Sequence, residues 1–580
     1  MKKTLILLLL LTLQTVAWAQ TGQLTITTDS VGKLAKLLPD SLRYTMSELK
    51  IVGPVNGNDL RIIKMIATHL ATKKPNERIL TTLDLSEAEL TESKGAFRTS
   101  SEGFPAALFV NSKALEKVIL PKGMLTLSKS CFSGCISLKE VVLPDELTII
   151  DDNAFLNCQS LKTINLPPAL NKIENHAFDG CKSLDSLNLP ASVDLIDSYA
   201  FNKCSNLQKI GLDCAITSIP SNAFAECERL RSVVLPQSVT AIGDEAFKGC
   251  TMLESITLPE VLTGIGIGAF EGCSSVRLIE AQTVTRIERE AFKDCTSLHT
   301  IEIGSINRLG NNVFENCLGL ATVKMEGNLS EIDDETFRGC TNLSYVSLPS
   351  TVKKIGTRAF YECKSLPGIK LPGAVSVIED HAFENCASLK SILIPNLAKK
   401  LGSSAFEGCT SLDSVNIQGF IEKLESDAFR YCHSLRTVIL PVSIKSIGDN
   451  VFQECSLLEN IKLPISVGSI GDNAFEKCAT LHSIAIPAAC KSIGSAVFRE
   501  CSALTTVELP AALKKIGGNA FAKCVSLREV VCRSPIPPML THSTFKGVVL
   551  AACRIIVPRG SRNTYRKDKS WSKLPQIVEQ

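Results

Sequence analysis

The chain repeats one pattern of apolar and polar positions eighteen times. One copy runs Leu435-Arg436-Thr437-Val438-Ile439-Leu440-Pro441, then Val442-Ser443-Ile444-Lys445-Ser446-Ile447-Gly448, then Asp449-Asn450-Val451-Phe452-Gln453-Glu454-Cys455. Leu435, Val438 and Leu440 alternate with polar or variable neighbours, the mark of a strand with one face inward. Pro441 has no N–H to give and ends the ladder. Ile444 and Ile447 predict a second short inward segment. Gly448 is expected to open a bend by taking positive φ, and Phe452 and Cys455 to turn inward at the corner. Phe-x-x-Cys keeps the beat from Phe132/Cys135 to Phe521/Cys524. Successive Cys lie 23 residues apart, save Cys273 to Cys295 and Cys295 to Cys317, which are 22.

A single coil cannot bury its own apolar side, but stacked coils can, Phe on Phe and Leu on Leu. The period therefore predicts a repeat solenoid of about 18 regular coils, a parallel β ladder with short turns.

The ends depart from the pattern. Leu24–Thr27 and Leu49–Gly53 read as strands, and Val31 to Leu38 is apolar at helical spacing. Asn58-Asp59 is placed to cap a helix from Leu60 to about Leu70. Leu80-x-x-Leu83-x-Leu85 reads as the first strand of the array. After Cys532, Ser534-Pro535-Ile536-Pro537-Pro538 cannot continue a ladder. Cys553 to Pro558 reads as a final strand, and Tyr565 and Trp571 are expected to cover the open end. The predicted division is a leader at 1–19, a small α/β N-terminal cap at 20–98, the solenoid at 99–532 and a C-terminal β cap at 533–580.

The motif L-x-x-I-x-L-P-x-x-V-x-x-I-G-x-x-A-F-x-x-C recurs over residues 115–532. It resembles that of BspA-like (Treponema pallidum-type) leucine-rich repeat proteins. Gly53 to Leu60, and Val557-Pro558-Arg559-Gly560-Ser561 with Tyr565 and Trp571, resemble the caps of the Bacteroides-type members. The resemblance implies a non-catalytic surface or extracellular recognition protein, an adhesin for host matrix proteins such as fibronectin or for other bacteria. A glycan-binding accessory protein of a bacterial surface system is the alternative.

Charge and composition narrow the classes. With 62 basic and 59 acidic residues the net charge is +3, unlike a nucleic-acid surface. Lys2, Lys3, the apolar run Leu5 to Leu11 and Ala17-Trp18-Ala19 read as a secretory signal peptide. No second apolar run is long enough to span a bilayer. An exported monomer is expected, at the cell surface or outside it, with the periplasm as an alternative. Twenty-three cysteines in such a chain suggest disulfides. Eighteen of them, however, sit three residues after the inward Phe, where Cys serves as a small buried hydrophobe. Bridges between neighbouring coils are the alternative. No C-x-x-C or Cys/His pairing suggests a metal, and no cofactor is expected. The seven His are scattered, and no Ser/His/Asp or paired-carboxylate constellation recurs, so no enzyme is expected. His176 and His381, at equivalent corners, read as solvated. The basic run Arg559, Arg562, Arg566, Lys567 and Lys569 reads as a solvated face.

Solenoids bind through the outward positions of their strands. The first outward column is a ladder of Ser and Thr in eleven of eighteen copies, and Tyr345 is its one aromatic. Such a ladder suits a half-exposed strand; a polar floor for a partner is the sharper interpretation. One region breaks the rules. The strand-ending Pro is absent in three successive copies, at Gln282, Gly304 and Glu326, and both 22-residue steps fall there. Drift in a tolerant array accounts for this; so would a binding region, since local rule-breaking marks function. On that second interpretation the candidate ligand-binding residues are Glu280, Thr300, Glu302, Thr322, Lys324 and Tyr345.

Overall fold

The computed structural model describes residues 22–70, 77–94 and 97–580. The leader at 1–19 lies outside the described residues. The chain folds as two compact units, residues 1–277 and 278–580. Each is a stack of parallel-strand coils.

The first unit opens with five parallel strands, Gln23–Thr27, Glu48–Val55, Thr82–Leu90, Lys117–Ile119 and Glu140–Val142, paired in that order. The stretch Val31 to Leu38 holds only a four-residue helix, Leu34–Leu37. The main helix is Gly57–Ala67, starting three residues before the expected Leu60. Its cap is Asn56, not Asn58-Asp59. The Asn56 side chain accepts from the Asn58 N–H at 3.0 Å, and Asp59 reaches back to accept from the Asn56 N–H at 3.1 Å. That reciprocal bonding satisfies donors that a helix start leaves open. Asp59 is buried and also takes the N–H groups of Gly32 and Leu34, at 2.7 and 2.9 Å. Leu60, Ile63 and Ile66 bury the helix's apolar face.

The regular coil follows the alternation. In the second unit, Ser414–Ile417 pairs with Thr437–Ile439, Val415 facing Val438 inward and Asn416 facing Ile439 outward. The second segment is a two-residue strand, Ser446–Ile447, paired with Ser469–Ile470. The corner has no strand; the Phe452 N–H donates to Ala474 O of the next coil at 2.8 Å.

The beat glycine does not work as expected. Gly448 has no positive φ; the left-handed residues are Asn450 and Glu454, at 57° and 63°. A Cβ on Gly448 would lie 2.9 Å from Leu424 O and from Ser426 N. A side chain at Gly448 would require the backbone of the preceding coil to shift, although Asp333 and Glu425 hold the equivalent place in other coils.

The phenylalanines align. In the first unit, Phe109 through Phe270 stack with centroids 5.1–5.6 Å apart, including Phe155 on Phe178 and Phe178 on Phe201. In the second, Phe292 through Phe545 stack at 5.0–5.7 Å. Beside this column run the eighteen cysteines of the beat, and all 23 cysteines of the chain are buried. Cys317 Sγ donates to Phe292 O at 3.0 Å, Cys432 to Phe406 O at 3.2 Å and Cys524 to Phe498 O at 3.0 Å.

At the C-terminus the strand at 553–558 forms as Arg554–Val557, flanked by Glu529–Cys532 and by Ile577–Glu579. Ile577–Glu579 was not legible, being three residues long and free of the period. Trp571 is buried edge-on against Phe545, with centroids 6.5 Å apart, and ends the stack. Its Nε1 donates to Pro538 O at 2.7 Å, and Tyr565 Oη donates to Ser534 O at 2.8 Å.

Candidate binding face

Four strands of the second unit, Leu278–Ala281, Thr300–Ile306, Thr322–Gly327 and Tyr345–Ser347, pair in parallel and in register. Ile279, Ile301, Val323 and Val346 point inward. The alternate positions form two outward rows. One holds Leu278, Thr300, Thr322 and Tyr345; the other holds Glu280, Glu302, Lys324 and Ser347. The six candidate residues thus lie on one face.

The missing prolines have a structural consequence. With an N–H at Gly304 and Glu326, the strands continue to seven residues in Thr300–Ile306 and six in Thr322–Gly327. The Pro-terminated Thr437–Ile439 has three. The extension ends in a bulge between Ile303 and Ile306 and at Gly327, whose φ of 122° admits no ordinary side chain.

Chemically the face is mixed. Lys324 Nζ lies 2.6 Å from Glu302, and this hydrogen bond raises the lysine pKa above its usual value. Glu280, one strand away, is exposed. Leu278 and Tyr345 stand 48% and 53% exposed at the two outer strands of the face. Hydroxyl, carboxylate, ammonium, phenol and aliphatic groups therefore share the outward side of one four-stranded sheet. Among the described residues no group of three or more His, Cys, Asp or Glu side chains is placed to hold a metal ion.

Corner contacts were not legible in the repeat. Glu315, 6% exposed, lies 3.1 Å from Lys293 and 3.0 Å from Arg338. These side chains follow the beat Phe in three successive coils, and only stacking brings them together. His176 and His381 are half-buried rather than freely solvated. Each bonds the acid three residues on, Asp179 at 2.8 Å and Glu384 at 2.5 Å. His176 also stacks on Tyr199, with centroids 4.6 Å apart.

Inward Leu, Phe and Cys columns with a chemically mixed strand face define a leucine-rich repeat solenoid. Residues 102–231, 217–344, 330–457 and 422–547 match the BspA type leucine rich repeat region family, and the chain belongs to it. Among solved structures it is similar to a leucine-rich repeat protein from Bacteroides ovatus, at 29% identity over 59% of this chain and 88% of that one, with a TM-score of 0.52. The leucine rich repeat protein of T. pallidum matches at 27% identity over 31% of this chain and 82% of that one, with a TM-score of 0.25. A leucine rich cell surface protein from Faecalibacterium prausnitzii matches at 22% identity, covering 76% and 85%, with a TM-score of 0.23. No curated protein matches the chain. Family members of this kind are repeat proteins, typically non-catalytic, and such solenoids generally mediate protein binding. No helix among the described residues is long and apolar enough to cross a membrane.

Proposed function

We propose that the chain is an exported, monomeric recognition protein of the cell surface or its surroundings, an adhesin for host matrix proteins or for other bacteria. It would have a leader at 1–19 and caps at 20–98 and 533–580 around the solenoid. The observation that carries this reading is the outward face of strands 278–281, 300–306, 322–327 and 345–347. There two of the strands are prolonged, Leu278 and Tyr345 replace the Ser/Thr of the first outward row, and Glu280, Glu302 and Lys324 fill the second. Aromatic and charged side chains on a polar floor suit a protein partner, because Tyr supplies much contact area at little entropic cost. Tyr345 is the sole aromatic of these rows, which speaks against a glycan groove needing several stacked rings.

The test is binding of the mature protein to immobilised fibronectin and to intact neighbouring bacteria, with the variants Tyr345→Ala and Lys324→Glu. Saturable binding to one of these, weakened roughly tenfold by each variant, is expected. Binding to neither, or binding that both variants leave intact, would overturn the assignment. A positive glycan array with no protein binding would replace it with the glycan reading.

A further inference from the structure

A ridge of bulky apolar side chains runs along one edge of the second unit, away from the strand face. After each strand the chain makes a short turn before its next inward residue. In most coils that turn carries small or polar side chains, as at Ser350 and Thr351, Gly373 and Ala374, or Ala488 and Ala489. In four successive coils it carries Leu397, Phe420, Val442 and Ile465, exposed by 55, 63, 85 and 84%. With coils stacked at ~4.8 Å, the four span roughly 15 Å. The core does not use them, since Ala398, Ile421, Ile444 and Val467 of the same coils are already buried. Single exposed apolar residues are ordinary, but here four consecutive coils carry one in the same turn, Leu397 and Phe420 one place and Val442 and Ile465 two places before the buried residue, and such a gathering on one edge marks an interaction site.

A stripe of positive charge runs alongside. The two positions before the second inward residue hold seven lysines, Lys399, Lys400, Lys423, Lys445, Lys491, Lys514 and Lys515, against one acid, Glu422, over six coils. All seven are exposed. Glu422 pairs with Lys445 at 2.5 Å, Glu425 with Lys423 at 2.5 Å, and Glu379 with Lys400. Lys399 has no ion pair among the described residues. A notch beside Phe420 is lined by Lys399, Lys400, Lys423, Glu422 and Glu425, a setting in which ammonium groups outnumber carboxylates.

We propose that this ridge and its lysine stripe are a peripheral docking surface for an anionic lipid membrane. The side chains protrude, so they suit insertion among lipid headgroups, which needs no matching pocket. The parallel lysines then lie at phosphate level, where apolar burial and attraction to anionic lipid act together. A second copy of this chain is the poorer occupant. One row of four side chains is narrow beside the ~1,600 Å² of a stable protein interface.

The test is co-sedimentation of the full exported chain with vesicles of phosphatidylcholine, with and without phosphatidylglycerol. Binding to the anionic vesicles is expected, weakened by salt and weaker by roughly tenfold or more in the double variant Val442→Ser, Ile465→Ser. Lys399→Glu with Lys423→Glu should abolish the preference for phosphatidylglycerol. Both pairs change exposed residues, and an unchanged melting curve shows that each variant is folded. Tyr345→Ala should bind vesicles as the parent does, which separates this surface from the strand face. Failure of the parent to bind anionic vesicles, or full binding by the serine variant, would overturn the proposal. So would a parent dimer that the serine variant dissociates, which would give the ridge to a second copy.

Discussion

The thiol of Cys158 donates to the carbonyl oxygen of Phe132, one coil away, at 3.1 Å. The same carbonyl accepts the N–H of Cys135 in its own coil, at 3.0 Å. One oxygen thus closes a corner and ties it to the next, and the cysteine fills its place as both hydrophobe and donor.

That geometry makes the thiols inert in the folded chain. Burial pushes Cys135, Cys524 and Cys532 up to about 12 and Cys490 up to about 11. The thiolate is the reactive form, so alkylation of the native protein at neutral pH should label almost no cysteine. Unfolding in denaturant without reductant should release most of them, and extensive pairing there would contradict the ladder. Stability should also depend on pH. A thiol whose folded pKa is raised favours the folded state below its unfolded pKa near 9 and loses that contribution as pH rises through the folded value. Denaturant midpoints should therefore fall between about pH 9 and 12.

Phe201 lies between Phe178 and Phe224, with centroids 5.4 and 5.5 Å away, and is fully buried. Phe201→Ala removes both contacts and leaves a cavity, at a cost of about 3–5 kcal/mol. Stability in a solenoid is a sum of coil and neighbour terms. Hydrogen exchange should accordingly rise first in the coils around residue 201, with distant coils still protected.

Ser112 occupies the cysteine place of the first coil. Its hydroxyl is buried and has no hydrogen-bond partner among the described residues. Ser112→Ala removes an unsatisfied group from the core and is expected to stabilise by about 1 kcal/mol, measured as a shift in the denaturant midpoint. A loss of stability would show that the hydroxyl is satisfied in solution.

Asp333 is half-buried, and burial, with Glu331 adding repulsion, raises its pKa from 3.8 to about 6. A raised carboxyl pKa gives stability that is present below 3.8 and lost as pH rises through about 6. At pH 7 the charged form is therefore a net cost. Asp333→Asn should raise stability there by about 1 kcal/mol, allowing for solvent screening of a half-exposed group. The difference should vanish near pH 4.

How much could be read in advance depended on the range of each interaction. Leu435, Val438, Ile444 and Phe452 are inward in the sequence pattern and in the fold, because the period alone says which side chains share a column. That Glu302, Lys324 and Tyr345 stand on the outward side of their strands was also legible, from the strand alternation. Less visible was the reason for Gly448, which faces the backbone of another coil. The start of the helix at Gly57 was missed because the capping box belongs to Asn56.

The repeat period settles which residues enter the core and which stand outside, because each coil can bury its apolar side only against its neighbours. Stacking settles what the period cannot express. It sets Glu315 between Lys293 and Arg338, and it brings the exposed turns that carry Phe420, Val442 and Ile465 to one edge. These residues are about 20 positions apart in sequence, and only the ~4.8 Å spacing of adjacent coils makes them neighbours.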